Sequence, residues 1–276
     1  DGFIYIYKAV DLRGPNYGIA GPAARNPEAV IVGPGDDWLT VYVNVDGVSI
    51  DGFKFDGQYL DPGEYYTVGI YGDLSDDLTV QNNVFTDYEG MAVITSGGYS
   101  SYISGVTIKD NLITNTALSD SAYNFGLYLQ STLGSVTGNV VTNVRSGIQI
   151  QPYSAPGAGL VQDNEFSVYG TGMYFNYTQD PTANWTFSNN TVTGIPIPVG
   201  STVSGFNGIR VQTFYAGNVT FTDNTINIGA ANAPVIYPFR KINHTGGTID
   251  LEATLDNNTW EKVVVVRDSL GVIRET

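Results

Sequence analysis

The sequence contains no cysteine and a single histidine, His244, among its 276 residues. Disulfide bonds and cysteine-based metal or redox chemistry are therefore excluded, and one histidine cannot form a histidine-based metal site or a catalytic triad. Basic residues are also few, because 12 Lys and Arg accompany 27 Asp and Glu, which gives a net charge of −15. The sequence has no basic patch, so its composition argues against a nucleic-acid partner.

Long apolar runs are missing as well. No stretch approaches the roughly 18 apolar residues that a membrane-spanning helix needs, and no signal peptide is present. We therefore expect either a mature secreted chain or a segment of a longer one. The chain is rich in apolar residues, at 42%, and contains 33 Gly and 19 Tyr. That mixture is typical of many short strands joined by tight turns.

One short pattern returns along the sequence: an apolar alternation, a polar pair ending in Asn, and a second apolar alternation, as in VTIKDNLITN at 106–115. The spacings between successive copies are 28, 28, 25, 26, 34 and 34 residues. The alternation has a period of two, which excludes helical repeats. The repeated asparagines are Asn83, Asn111, Asn139, Asn164, Asn190, Asn224 and Asn258.

A second series of short strands alternates with the first, and most of its members open with glycine, as in GLYLQ at 126–130 and GIRVQ at 208–212. Two to three strands per repeat without helices predict the coils of a parallel β-helix. Stacked coils would bring equivalent asparagines to about the 4.8 Å strand spacing. We predict that each Asn occupies a left-handed corner and that its amide donates to the next one, forming a ladder. The predicted core column is Ile108, Val136, Val161, Phe187 and Phe221.

These motifs resemble the right-handed parallel β-helix of the pectate-lyase-like superfamily over about residues 38–266. The stretch VDLRGPNYGIAGPAARNPEAVIVG at 10–33 is similar to the early coil of large microbial surface proteins of this type. The resemblance implies a single all-β solenoid of about nine coils, roughly 43 Å long. We predict a first coil with a long loop in 1–37, regular coils in 38–266 and a tail in 267–276.

The resemblance leaves the function open, because the superfamily contains lyases, hydrolases, epimerases, phage spikes and adhesins. Aligning the strands on their glycines predicts two outward columns. One reads Ala92, Tyr128, Gln149, Tyr174 and Arg210, and the other reads Ile94, Gln130, Gln151, Asn176 and Gln212. Neither contains a carboxylate, whereas glycoside hydrolysis needs a pair of them. Asp110 and Asp163 precede ladder asparagines and are assigned to the corners.

Tyrosine and glutamine suit sugars, since they offer flat apolar faces together with donors and acceptors. The glycan-binding candidates are Tyr128, Gln130, Gln149, Gln151, Tyr174, Arg210 and Gln212. The alternative is that these side chains form a polar ladder that only solubilises the sheet. Arg210 has two interpretations of its own: it binds a carboxylate bidentately, or it pairs with a nearby acid such as Asp223.

Two further kinds of site are suggested by short motifs. Sequons for N-glycosylation begin at Asn176, Asn184, Asn189, Asn218, Asn243 and Asn257. They matter where the organism glycosylates such sites. The run YGDLSDD at 71–77 places Asp73, Asp76 and Asp77 in one turn, and oxygen-rich turns bind calcium. It lacks the spacing of an EF-hand loop, so a solvated acidic turn is the alternative.

Two hypotheses follow from these observations. The first is a non-catalytic extracellular surface, filament or adhesin-like module. The apolar strands FIYIY (3–7) and KVVVV (262–266) near its two ends would then be covered by end-to-end self-association or by flanking sequence. The second is a polysaccharide lyase, hydrolase or epimerase whose site lies in the insertions at 14–28, 195–206 or 227–233. A glycan-binding phage spike lies between the two hypotheses.

Overall fold

The protein is an all-β solenoid of parallel strands. A computed structural model describes residues 2–35, 37–58, 67–98, 101–115, 123–153, 155–228, 232–233, 235–244 and 246–256. Its strands are β1 (Ile4–Ile6), β2 (Asp11–Arg13), β3 (Val30–Val32), β4 (Leu39–Val43), β5 (Ser49–Asp51), β6 (Lys54–Asp56), β7 (Val68–Asp73), β8 (Thr79–Gln81), β9 (Val84–Thr86), β10 (Met91–Ser96), β11 (Ile103–Lys109), β12 (Leu112–Thr114), β13 (Phe125–Gln130), β14 (Thr132–Thr137), β15 (Val140–Gln151), β16 (Ala158–Gln162), β17 (Glu165–Thr178), β18 (Asn184–Ser188), β19 (Thr191–Gly194), β20 (Gly205–Phe214), β21 (Asn218–Asn227), β22 (Val235–His244) and β23 (Thr248–Asp256).

The strands pair in three parallel stacks, which we call the first, second and third sheets. The first sheet runs β1, β4, β7, β10, β13, then the C-terminal halves of β15 and β17, then β20 and β22. The second runs β2, β5, β8, β11, β14, β16, β18, then the N-terminal halves of β21 and β23. The third runs β3, β6, β9, β12, the N-terminal halves of β15 and β17, β19, then the C-terminal halves of β21 and β23. The described chain therefore forms nine coils of a parallel β-helix, as the repeat predicts.

The core lies between the three sheets and consists of stacked apolar side chains. In the second sheet Ile108 pairs with Val136, Val136 with Val161, Val161 with Phe187, and Phe187 with Phe221. All five side chains are buried, so the predicted core column is confirmed. The column changes from aliphatic to aromatic towards the C-terminal coils, where the rings of Phe187 and Phe221 stack with centroids 4.8 Å apart.

The asparagine ladder forms at the corner between the second and third sheets. From Asn83 to Asn190, each Nδ2 donates to Oδ1 of the asparagine in the next coil, at 2.9–3.3 Å, and Asn224 accepts the last of these bonds. Each Nδ2 also donates to a strand carbonyl of the preceding coil, for example Asn139 to Ile108 O at 3.0 Å. The ladder is therefore confirmed for the described members. Asn258 lies outside the described residues.

The corner differs from the prediction in one respect. The left-handed residue is the one before each ladder asparagine, with φ values of 56°, 52°, 66°, 55°, 53° and 53° at Asn82, Asp110, Gly138, Asp163, Asn189 and Asp223. Asn, Asp and Gly are the residues that tolerate this region most readily. The assignment of Asp110 and Asp163 to the corner is therefore right. The ladder asparagine itself keeps φ negative and is selected for its amide.

The long loop of the first coil lies along this corner as a strap over three coils. Gly14 N donates to Asp51 O at 2.7 Å, and Gly21 N donates to Asp110 O at 2.7 Å. Between them, Arg25 donates to Asn82 O at 2.8 Å and forms an ion pair with Glu28. Its side chain is only 8% exposed. The polar groups of this insertion thus hold the strap to the corner.

The first coil exposes one open edge. Its strands β1, β2 and β3 pair only with the second coil among the described residues, and Ile4, Val30 and Val32 are exposed. End-to-end association through this edge stays a prediction, and KVVVV (262–266) lies outside the described residues. The tail predicted for 267–276 lies outside them too. Among the residues with described placement, none forms a helix long and apolar enough to cross a membrane.

Candidate binding face and arginine pocket

The outer face of the first sheet carries the residues that were predicted to bind a glycan, but in a corrected register. Ile94, not Ala92, pairs with Tyr128, and Ser96 pairs with Gln130. Ala92 lies opposite Gly126, because Met91 pairs with Phe125 before them and Val93 pairs with Leu127 after them. The glycine alignment fails here because alanine fills the position that glycine holds in later coils.

The glycines are needed because the third sheet crowds this position. A Cβ added to Gly147 would lie 2.5 Å from Phe166 Cδ1, and one added to Gly172 would lie 2.3 Å from Val192 Cγ1. The strand is thus held close to the core, and the residues two and four positions later face outwards. The resulting tyrosine column is Tyr5, Tyr42, Tyr71, Ile94, Tyr128, Gln149, Tyr174, Arg210 and Arg240.

The N-terminal part of this column is a platform of aromatic rings. The Tyr5 and Tyr42 rings stack with centroids 5.4 Å apart, and Tyr71 meets Tyr42 edge-on at 5.5 Å. Tyr42 and Tyr71 pack against a small buried cluster made of Leu39, Val68, Met91 and Ile94. Burial raises the pKa of Tyr42, and the hydrogen bond that its hydroxyl donates to Asp73, at 2.5 Å, raises this pKa further. The platform is therefore rigid, while Tyr5 is 50% exposed.

Asp73 corrects a second expectation, that the outward columns contain no carboxylate. Asp73 lies two residues after Tyr71 of the tyrosine column and pairs with Ser96, so it belongs to the neighbouring outward column. It is the one carboxylate among the described residues of these two columns, and it is bonded to Tyr42. A second acid at the spacing of a hydrolase pair is absent from the described part of both columns.

The middle of the face is a closed polar network. The Tyr128 hydroxyl and Gln149 Nε2 both donate to Gln151 Oε1, the latter at 3.2 Å. Gln151 Nε2 donates in turn to the Tyr153 hydroxyl at 2.7 Å. These candidates satisfy one another across neighbouring coils. These bonds form the polar ladder of the second alternative, and glycan binding by the same residues stays a prediction.

The C-terminal part of the face holds a cavity of about 380 Å³, which we call the arginine pocket. Arg145, Arg210 and Arg240 line it together with Tyr174, Tyr237 and Asn207, and the end of the 195–206 insertion forms one wall. Arg210 lies over the Tyr174 ring, 4.6 Å from its centroid, and Arg240 lies 4.8 Å from that of Tyr237. The volume is within the usual range for ligand sites, roughly 300–1,000 Å³.

Three buried polar atoms of the pocket have no hydrogen-bond partner among the described residues: Arg210 Nε, Arg240 Nε and Asn207 Oδ1. Arg210 does donate to Gln212, which also accepts the Tyr174 hydroxyl at 3.0 Å. Burial lowers the pKa of Arg210; the Tyr174 side chain opposes this, whereas Arg240 and Arg145 lower it further. Unsatisfied buried donors are rare in proteins, so they call for an explanation.

None of the described residues that line the pocket is an acid. Within the described ranges no carboxylate forms an ion pair with Arg210 or Arg240. Asp223, the acid suggested for Arg210, occupies the ladder corner instead and bonds Thr222. The hypothesis of an Arg210–Asp223 pair is therefore wrong, and positive charge is concentrated where a ligand could enter.

The comparison with family models agrees with this architecture. A model described as a right-handed beta helix region matches residues 39–226, which is most of the chain. The chain belongs to the right-handed beta helix family. No curated protein and no solved structure matches this β-helix protein.

The sequons of the β-helix protein occupy different environments. Asn184, Asn189 and Asn218 are exposed, and the first and third pair in adjacent coils. Asn176 is partly buried on the binding face, and its Oδ1 has no partner among the described residues. Nothing is described of the Asn243 side chain, and Asn257 lies outside the described residues. Glycosylation stays a prediction at all of them.

The three acids of the calcium candidate do not converge in the β-helix protein. Asp76 accepts Ser104 N at 2.6 Å, Asp73 accepts Tyr42, and Asp77 is a left-handed turn residue with φ 55°. The described ranges contain no group of three such side chains arranged to hold a metal ion. Calcium binding by this turn stays a prediction.

Four of the pocket residues named above were missed at the sequence level: Arg145, Asn207, Tyr237 and Arg240. Arg240 pairs with Arg210 of the preceding coil, and Tyr237 pairs with Asn207. Aligning YPFRK with NGIRV would have found both, but the proline and the missing glycine hid this strand. Arg145 lies in β15, where the third sheet continues into the first, a place that strand alignment does not examine.

Proposed function

We propose that this β-helix protein is a non-catalytic extracellular module that binds an extended glycan along the outer face of the first sheet. The observation that carries the proposal is the tyrosine column, which runs through all nine described coils and combines stacked rings with the arginine pocket. Aromatic rings supply flat amphipathic surfaces, and amides and guanidinium groups supply directional hydrogen bonds. A surface or adhesin-like role, with the acidic rod as a spacer, follows from that binding.

Rigidity supports the proposal. Tyr42 and Tyr71 are fixed by the cluster beneath them and by each other, so little side-chain entropy is lost when a ligand stacks on them. Phe3, Tyr5 and Trp38 extend the platform and are each at least 40% exposed. A column of this length matches a chain of sugars better than a single small molecule.

The test is affinity electrophoresis of the full chain through gels that contain neutral or acidic polysaccharides. We expect at least one polysaccharide to retard the protein. The double variant Tyr5→Ala/Trp38→Ala should bind it roughly thirtyfold more weakly, since stacked rings contribute on the order of 1 kcal/mol each.

Tyr17→Ala is the matched control, because Tyr17 is equally exposed, at 48%, but lies on the strap. It should bind like the unaltered protein. Equal binding by the double variant and the unaltered protein, or no retardation by any polysaccharide, would contradict glycan binding by this face.

The enzyme alternative is tested separately. We expect no release of unsaturated or reducing oligosaccharides from pectin, alginate or polygalacturonate, with or without calcium. The reason is that the described face offers one carboxylate, Asp73, which is bonded to Tyr42, while hydrolysis uses two. A pocket of three arginines is the feature that favours a lyase, so a rise in ultraviolet absorbance from new double bonds would replace our proposal with that activity.

A further inference from the structure

The arginine pocket concentrates positive charge in a protein that is acidic overall. The protein has 12 basic residues against 27 acids, yet three arginines line one cavity, and none of its described lining residues is an acid. Arg210 and Arg240 occupy paired positions on adjacent strands. Like charges in such positions destabilise a sheet. A fold that keeps this pair, with acids in excess elsewhere, points to a missing anion.

The unsatisfied atoms describe what the missing group must offer. Arg210 Nε and Arg240 Nε are buried donors without partners in the described part of the chain, so they require an acceptor. Asn207 Oδ1 is an acceptor without a partner in the described part of the chain. The Nδ2 of the same side chain already donates to Thr171 Oγ1 at 3.2 Å. The Oδ1 atom requires a donor such as a hydroxyl group. An oxyanion alone satisfies the arginines, whereas an oxyanion that also carries hydroxyl groups satisfies all three atoms.

The rings add the last requirement. Arg210 and Arg240 lie over the rings of Tyr174 and Tyr237, so each guanidinium group is held against one ring and covers its face. Guanidinium groups fixed in this way are preorganised for an oxyanion and cost little entropy on binding. The site thus recognises charge, while the exposed rings at the N-terminal end of the face recognise the neutral parts of a ligand.

We propose that the arginine pocket binds the carboxylate or sulfate group of an acidic sugar, with Arg210 and Arg240 holding the oxyanion and Asn207 accepting a neighbouring hydroxyl. This inference rests on the proposed glycan-binding function and assigns the charge of the glycan. It also explains why a strongly acidic protein can bind an acidic polymer, since the oxyanion enters a locally positive cavity on this face.

The experiment is calorimetric titration of the full chain with glucuronate, glucose 6-sulfate and glucose at constant ionic strength. We expect glucuronate or the sulfate ester to bind, the stronger of the two identifying the group, and glucose to bind at least tenfold more weakly. Arg210→Gln and, separately, Arg240→Gln should each reduce the affinity for the charged sugar about tenfold or more.

Arg13→Gln is the matched control, since Arg13 also lies over a tyrosine ring, 4.5 Å from the Tyr17 centroid, but far from the pocket at the strap. It should leave the affinity unchanged. Thermal melts verify that each variant is folded, and using two pocket variants keeps the test valid if one of them fails to fold. Glucose binding as tightly as the charged sugars, or binding by both folded pocket variants at the original affinity, would overturn the inference.

The two proposals fail separately. Polysaccharides retained equally well whether neutral or acidic would leave glycan binding in place and refute the anion site. Charged monosaccharides that bind through Arg210, with no polysaccharide retained in the gels, would support the anion site and refute binding along the whole face.

Discussion

Asn139→Ala is expected to lower the free energy of unfolding by about 3–5 kcal/mol. The Asn139 carboxamide accepts both Asn111 N at 3.0 Å and Asn111 Nδ2 at 2.9 Å, and it donates to Ile108 O and to Asn164 Oδ1. Truncation leaves Asn111 N without an acceptor, removes one of the two acceptors of Asn111 Nδ2, whose bond to Val80 O remains, and removes a donor from Ile108 O and Asn164 Oδ1. Asn111, Asn139 and Asn164 are almost completely buried, so bulk water cannot replace these bonds cheaply. Urea-induced unfolding followed by circular dichroism measures the change.

Asn184→Ala is the control for this experiment, because Asn184 is exposed and lies outside the ladder. Its effect should stay within about 0.5 kcal/mol, as for an ordinary surface position. If Asn139→Ala unfolds at the same urea concentration as Asn184→Ala, the ladder contributes no net stability and the repeated asparagine has another cause.

Phe187→Ala is expected to lower the free energy of unfolding by about 3–5 kcal/mol as well, through a cavity rather than through lost hydrogen bonds. Phe187 is fully buried, stacks on Phe221 and meets the Phe175 ring edge-on at 6.0 Å. Its column neighbours belong to adjacent coils whose spacing is fixed by strand pairing. They cannot move together to fill the space, so most of the cavity persists. The same urea titration measures the loss.

Phe3→Ala provides the comparison, since Phe3 is 41% exposed on the first coil. Its removal should cost less than about 1 kcal/mol. The heat capacity of unfolding should stay nearly constant in both variants, because the surface exposed on unfolding hardly changes. A loss at Phe187 no larger than that at Phe3 would mean that the coils collapse around the gap and that the column is soft.

The repeat was readable from the sequence because one corner has strict chemical requirements. The turn between the second and third sheets has two residues, of which the first must adopt a left-handed backbone and the second must supply an amide. Only Gly, Asn and Asp fill the first position, and Asn fills the second in six described coils, Asn83 to Asn224. These requirements are visible in each copy of the repeat. The number of coils, the core column and the ladder could therefore be predicted from the spacing of the repeated asparagines.

The binding face was less readable because its register depends on packing. Glycine marks the strands of the first sheet only where the third sheet crowds them, and Ala92 fits the same place. Moreover, the charge of the pocket comes from three coils and two kinds of strand, with Arg145 in β15, Arg210 in β20 and Arg240 in β22. These side chains are 30 to 95 residues apart in the sequence and converge only after the coils are stacked, so no local motif predicts the pocket.

The two-residue ladder corner also determines where this chain can change length during evolution. The segment from Asn139 to Asn164 spans 25 residues and that from Asn190 to Asn224 spans 34, yet the corner is the same in both. The difference lies largely in the loop 195–204 between β19 and β20 of the longer segment. In the shorter segment, β15 continues without a break from the third sheet into the first. Insertions and deletions are therefore tolerated there, since each coil needs only its strands to match its neighbours. Thr202 and Ser204 at the end of that insertion form a wall of the arginine pocket. Trimming or lengthening this loop thus reshapes a wall of the arginine pocket, while the rod that displays the pocket stays unaltered.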